Sequence, residues 1–308
     1  MLTIDELKAR QGWLGASDMA AVLGLNPRES AADVFLEKTG LSPSQASSSD
    51  AAEAGLVLEN FVLDLAERQL GAIKRPSETE RLQYPVEGTP VRASLDAQLL
   101  ATGEPVEAKT SGIFGWLDSE WGEEETDNVP APYVIQVHCQ MMAAHTRKGY
   151  IAALLGGRGF KLYPITRNED ICSAIQHESI LFWANVESAK KALTEGADAA
   201  AVIAEFSPAN SVPSEDTLKR MARVPSKVID LNDEQVLLVT QWQDAAKAAT
   251  EADKRAKAAK AAVIAALGDA EAARAGEHGA VTYFESSRKE YTCPASTFRT
   301  LRLSKKGI

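Results

Sequence analysis

Cysteine is scarce. Three in 308 residues, Cys139, Cys172 and Cys293, are odd in number, far apart and never spaced C-x-x-C. That pattern argues against a disulfide framework, a cysteine zinc site or a thiolate-ligated cluster, and it suits a reducing cytoplasm. No apolar run approaches the ~18 residues that cross a bilayer, and no basic start leads into an apolar export segment. The expectation is a cytoplasmic protein with no membrane partner. None of the four histidines sits in a nucleophile motif, which argues against serine or cysteine hydrolase chemistry. Positive charge is also short: 33 Lys and Arg against 43 Asp and Glu leave a net charge of −10, whereas binding to phosphate normally draws on a basic surface. The shortage is uneven. Residues 286–308 carry six Lys or Arg and the single acid Glu290, while Asp118 to Asp127 is an acidic cluster with no base. A local basic channel within an acidic exterior reconciles the two. With 45% hydrophobic residues the chain can bury the core of one large domain, or of one domain and an appendage.

Against these absences stands one constellation. Ser94-Leu95-Asp96 is followed by Val106-Glu107-Ala108-Lys109-Thr110. On a strand, alternate side chains share a face, so Glu107 and Lys109 point one way while Val106 and Ala108 point into packing. The Ala101-Thr102-Gly103-Glu104-Pro105 stretch is a turn signal that folds the preceding strand back alongside, which brings Asp96 within a residue or two of Glu107. Two carboxylates and an ammonium on a sheet surface suit phosphodiester hydrolysis: hard oxygen ligands for magnesium, and a cation to position water or steady developing charge. A surface hairpin with a cross-strand ion pair is the alternative. A third carboxylate lies on the helix expected over residues 51–70, which Gly71 stops. On a helical projection the neighbours of Glu59 are Ala52, Gly55, Leu56, Val62, Leu63, Ala66 and Leu70, all apolar. A carboxylate on a burying face needs a cation. A metal shared with Asp96 and Glu107 would supply it; partial exposure or an arginine partner are the other readings.

Elsewhere, Ser17 reads as the N-cap of a helix over residues 18–23 that Gly24 and Pro27 end, and Ser30 opens a second helix that ends near Gly40. Residues 41–50 read as a polar loop, and strands are expected at 80–86, 91–100 and 105–110. After an irregular stretch, Pro132 suits the first turn of a helix running to about His145, with Tyr133, Gln136 and Gln140 on one face. A hairpin over 150–155 and 160–165 and a helix over 169–195 complete a mixed α/β pattern around a central sheet. Leu231 to Leu267 is a long Ala-rich helical pattern, and residues 280–308 read as one or two strands with a basic tail. The division expected is a domain over 1–205 and an extension over 206–308.

From Arg10 to about Val186 the chain resembles the YqaJ-like viral recombinase family, relatives of the lambda-type phage exonucleases within the PD-(D/E)xK nuclease fold. The resemblance rests on GASDMAAVLGL, the G-x-x-x-E of Gly55 and Glu59, SLDAQL, VEAKTS, VPAPYVIQVHCQMM and LFWANV, in that order. Leu95 stands where the superfamily name expects proline. The resemblance implies that Asp96 and Glu107 are the principal metal ligands, with Glu59 and the carbonyl of Ala108 completing the set around magnesium, or manganese in its place, two ions per site. It gives Lys109 the task of orienting or activating water, Gln136 that of fixing Lys109 or a phosphate, and Tyr133 either a DNA contact or core packing. Arg10, Ser17 and Ser94 stand where this type of exonuclease holds a terminal 5′ phosphate; read without the family, Arg10 is a solvated charge and Ser17 a helix cap. The implied function is 5′-to-3′ digestion of one strand of duplex DNA from its end, by a ring-shaped homotrimer working with a single-strand annealing protein of a phage or prophage in a bacterial host. An end-independent endonuclease and a non-cutting DNA-end-binding module are the rival readings.

Overall fold

The computed structural model describes residues 9–42, 50–77, 82–112, 120–221 and 228–285. The chain divides into two compact units, Met1–Ala222 and Arg223–Ile308. The first runs beyond residue 205, where the sequence suggests a break. Its continuation is tied back by Ser211, whose hydroxyl accepts from Ala32 N–H, and by Ser214, whose N–H and hydroxyl both donate to the Asp33 carboxylate.

A five-stranded sheet forms the centre of the first unit. Its order is β2 (Ile73–Lys74), β5 (Ala97–Leu99), β6 (Pro105–Ser111), β7 (Lys148–Leu155) and β8 (Gly159–Thr166), antiparallel except between β6 and β7. A parallel pair needs a crossover, and helix α4 (Ala131–Ala143) lies within it. A second, three-stranded sheet has the order β1 (Leu14–Gly15), β4 (Val91–Ser94) and β3 (Gln83–Pro85). Around it lie helices α1 (Met19–Val22), α2 (Ala31–Lys38) and α5 (Glu169–Thr194), whose apolar residues share one core with β4.

Period-two alternation along β7 explains how the large sheet is covered. Tyr150 and Ala152 pack with Val62, Leu63 and Ala66 of helix α3 (Asp50–Leu70), while Ile151, Ala153 and Leu155 pack with Val137 and Met141 of α4. The opposite side of α4, Ile135, Cys139 and Ala143, enters the core around the small sheet. Helix α4 is therefore apolar on two sides, which leaves a narrow polar stripe for Gln136 and Gln140.

Several local expectations change. The strand expected over 91–100 is two strands in two different sheets, with Leu95 and Asp96 forming the corner between them. Leu95 N–H still donates to Leu82 O on the small sheet, and Ala97 already pairs with Val106 on the large one. Ser17 is not a helix cap: Asp18 precedes α1, and its carboxylate accepts from Gly15 N–H instead of capping the four-residue helix. Leu56, placed with Glu59 on a burying face, is 52% exposed; the residues of α3 that enter the core are Val62, Leu63 and Ala66. Ser30 caps α2 through a reciprocal box with Asp33, as its sequence suggests.

In the second unit the long helix α6 (Asp233–Leu267) starts at a capping box of Asn232 and Gln235 and stops at Gly268, where φ is +59°. A hairpin of Ala272–Arg274 and Ala280–Thr282 follows. The basic tail over 286–308 lies outside the described residues. So does most of the polar loop, at 43–49.

Candidate active site

The β5–β6 hairpin carries the register into the site. Ala97 faces Val106, so continuing the ladder by one residue sets Asp96 opposite Glu107, and the Asp96 carboxylate accepts from Ala108 N–H at 2.9 Å. Gly103, at φ +76°, makes the return that this short connection needs. Along β6, Val106 and Ala108 pack toward α3, whereas Glu107 and Lys109 lie on the side of α4. Glu59 comes from α3, which packs on the other face of the same strand, and lies near enough to feel the charges of Glu107 and Lys109. Gly55, one turn before it, passes so close to β6 that an added Cβ would stand 3.7 Å from Thr110 Oγ1.

Glu107 is 2% exposed. A buried carboxylate must be paired and hydrogen-bonded, and three side chains meet this one. Oε1 accepts from Lys109 Nζ and from Gln136 Nε2, the latter at 2.6 Å, and Oε2 accepts from Gln140 Nε2. The Gln140 amide also donates to Ser94 O at 2.9 Å. One amide group thus holds the end of β4, two residues before Asp96, against the Glu107 carboxylate. Its own Oε1 is buried without a partner among the described residues.

The charges are unbalanced in favour of the acids. Burial first, then the Glu107 carboxylate, hold the Asp96 carboxyl well above the usual range. The same two causes raise Glu59. For Lys109, burial pulls the ammonium down, but Glu107 and Asp96 together outweigh it and keep the group more basic than a free lysine. Lys109 is accordingly a fixed cation and hydrogen-bond donor in this arrangement. Its Nζ also lies 5.0 Å from the centre of the Tyr133 ring, which packs at 5.6 Å from the Trp121 ring. Tyr133 therefore contacts Lys109 from the edge of the core.

Among the described residues no three His, Cys, Asp or Glu side chains form a closed metal-ligand group. The donors themselves fit a hard divalent cation: Asp96, Glu107 and Glu59 offer carboxylate oxygens, the Ala108 carbonyl adds another, and one ammonium does not balance three carboxylates. When bound, such an ion would supply a Lewis acid and lower the pKa of water.

The three residues expected to hold a terminal phosphate, Arg10, Ser17 and Ser94, are only partly brought together. Arg10 Nη2 lies 3.7 Å from Asp18 Oδ1 and Ser17 Oγ 3.5 Å from the same atom. Lys38, 1% exposed, bonds Asp18 at 2.7 Å and the Arg10 carbonyl at 3.3 Å. Ser94 is exposed at the end of β4 and accepts from Gln83 at 3.2 Å; it shares no hydrogen bond with Arg10 or Ser17 among the described residues. Sequence reasoning placed Gln140 on the face of Gln136 without giving it a role, and it missed Asp18 and Lys38. Gln140 is signalled by its i, i+4 spacing from Gln136, but nothing local marks the Asp18–Lys38 pair.

Residues 7–147 match the YqaJ-like viral recombinase domain. The uncharacterized protein YqaJ of Bacillus subtilis (strain 168) is 31% identical over 179 residues, 58% of this chain and 54% of that protein, so the chain spans about half the length of this curated relative. Among solved structures, the alkaline exonuclease LHK-Exo from Laribacter hongkongensis is 18% identical with a TM-score of 0.47, over 63% of this chain and 97% of that one. A phage-related exonuclease from Haemophilus somnus 129PT is 14% identical with a TM-score of 0.42, over 60% of this chain and 96% of that one.

Proposed function

From the match of residues 7–147 to the YqaJ-like viral recombinase domain, we propose that this protein is a magnesium-dependent DNA exonuclease of the PD-(D/E)xK type. It removes one strand of a duplex in the 5′-to-3′ direction from a 5′-phosphorylated end and leaves a 3′ single-stranded overhang. The observation that carries this reading is the placement of Asp96 opposite Glu107, with Lys109 bonded to Glu107 and with Gln136 and Gln140 bracing that carboxylate.

Each residue has a task that follows from its position. Asp96, Glu107, Glu59 and the Ala108 carbonyl would hold the divalent ion. Lys109, kept as an ammonium, donates to the attacking water or to a nonbridging phosphate oxygen and offsets developing negative charge. Gln136 and Gln140 restrict the rotation of Glu107, so little reorganisation is needed when substrate arrives. Arg10, Ser17 and Ser94 receive the terminal 5′ phosphate, with Arg10 able to leave Asp18, 3.7 Å away, for a doubly charged anion. A trimeric ring and a single-strand annealing partner complete the proposal.

The test is digestion of a linear duplex phosphorylated on one 5′ end only, labelled at both ends, with a closed circle alongside. Selective loss of the phosphorylated strand in magnesium, with the circle intact, is expected. Cleavage of the circle would replace the exonuclease with an endonuclease, and binding without digestion in either metal would leave an end-binding module.

A further inference from the structure

Strand β4 alternates buried and exposed residues: Val91 and Ala93 enter the core, and Arg92 and Ser94 share the outer face of the small sheet. Arg92 is exposed, and its guanidinium carbon lies 4.6 Å from the centre of the Trp13 ring. No carboxylate pairs with Arg92 among the described residues, although the chain carries ten more acids than bases. An arginine stacked on an aromatic face keeps its in-plane N–H donors free while losing rotational freedom. Its position is also set by the backbone. Arg92 O accepts from Ala16 N–H at 3.0 Å, so the residue sits beside the turn that holds Ser17, and in the ladder Arg92 faces Gly15 on one side and Pro85 on the other.

We propose that Arg92, held against Trp13, is a DNA backbone contact on the outer face of the small sheet, receiving a phosphate of the bound duplex. This rests on the nuclease reading above and adds a residue that reading does not use. Four residues of chain separate Arg92 from Asp96, at most about 13 Å of extended strand. At a rise of about 3.4 Å per nucleotide, that is at most about four nucleotides. Arg92 therefore acts on affinity, at a phosphate away from the bond being cut.

The experiment is equilibrium binding of the full chain to a fluorescent 5′-phosphorylated duplex, in calcium in place of magnesium, as a function of potassium chloride. Arg92→Gln is expected to flatten the slope of log K against log salt by about 0.9 if the contact is to duplex and about 0.7 if it is to a single strand. If affinities converge at 1 M salt, the duplex case corresponds to binding about eightfold weaker at 0.1 M. Arg92→Lys, still a cation, keeps the wild-type slope but binds more weakly. An Arg92→Gln protein with wild-type slope and affinity overturns the assignment, as does one that loses only thermal stability, which would make Arg92 a packing partner of Trp13 alone. Wild-type protein that binds no DNA would fail the nuclease reading itself.

Discussion

Replacing Gln140 with leucine tests whether one buried amide organises the site. The side chain is fully buried and its NH₂ group donates both to Glu107 Oε2 and to Ser94 O. Leucine matches its size, so no large cavity opens. The bond to a carboxylate accounts for about 1.5–3 kcal/mol and the one to a carbonyl for about 0.5–1.5 kcal/mol, while deleting the unpartnered Oε1 returns about 1–3 kcal/mol. Leucine leaves both acceptors without that donor, which adds back part of the cost, and the net destabilisation expected is about 2–3 kcal/mol. In a unit of this size that lowers Tm by about 5–10 °C. Urea unfolding of Gln140→Leu, Glu107→Leu and the double variant gives the coupling, expected at about 1–3 kcal/mol. A Glu107 released from its brace should also weaken magnesium binding about 10- to 100-fold, read as the metal dependence of Tm and of hydrolysis. Additive variants with unchanged metal dependence would refute the bracing role.

Lys109→Met removes the fixed cation and should slow hydrolysis by about 10²- to 10⁴-fold while DNA binding in calcium persists, which a single-turnover assay beside a binding assay will show. Gly149→Ala places a Cβ 2.8 Å from Val137 Cγ1, 3.1 Å from Pro105 Cγ and 3.2 Å from Met141 Cγ. Because β7 and α4 cannot separate cheaply, it should cost about 1–3 kcal/mol in denaturant unfolding. Glu29 has its carboxyl raised to about 7, by burial first and then by Asp18 and other acids. A carboxyl with a raised folded pKa contributes stability below its ordinary value of 4.5 that is lost as pH rises to about 7. Glu29→Gln should therefore match wild type at pH 4 and exceed it at pH 8, by up to about 3 kcal/mol before solvent screening reduces the gain; equal Tm values at both pH values would contradict this. The salt dependence of Arg92→Gln binding is the remaining check.

What the amino-acid sequence determined by itself was local and periodic. The short turn closed by Gly103 and the two-residue period of its strands sufficed to set Asp96 against Glu107 and Lys109 beside it, because register follows from turn length and face follows from parity. The Ser30 cap and the Pro132 start lay in residue types within four positions of one another. Tertiary structure decided the rest. The corner at Leu95–Asp96 exists because the two halves of residues 91–99 find hydrogen-bond partners in different sheets, which no pattern within the segment reveals. Gln140 reaches Glu107 across 33 positions and Ser94 across 46, and Arg10 is held by Lys38 across 28. Leu56 and Glu59 lie on one helical face, yet only the packing against β6 and β7 decides how much of that face is buried. Sequence period specifies which side chains share a face; what lies opposite that face is set by the folding of distant segments onto it.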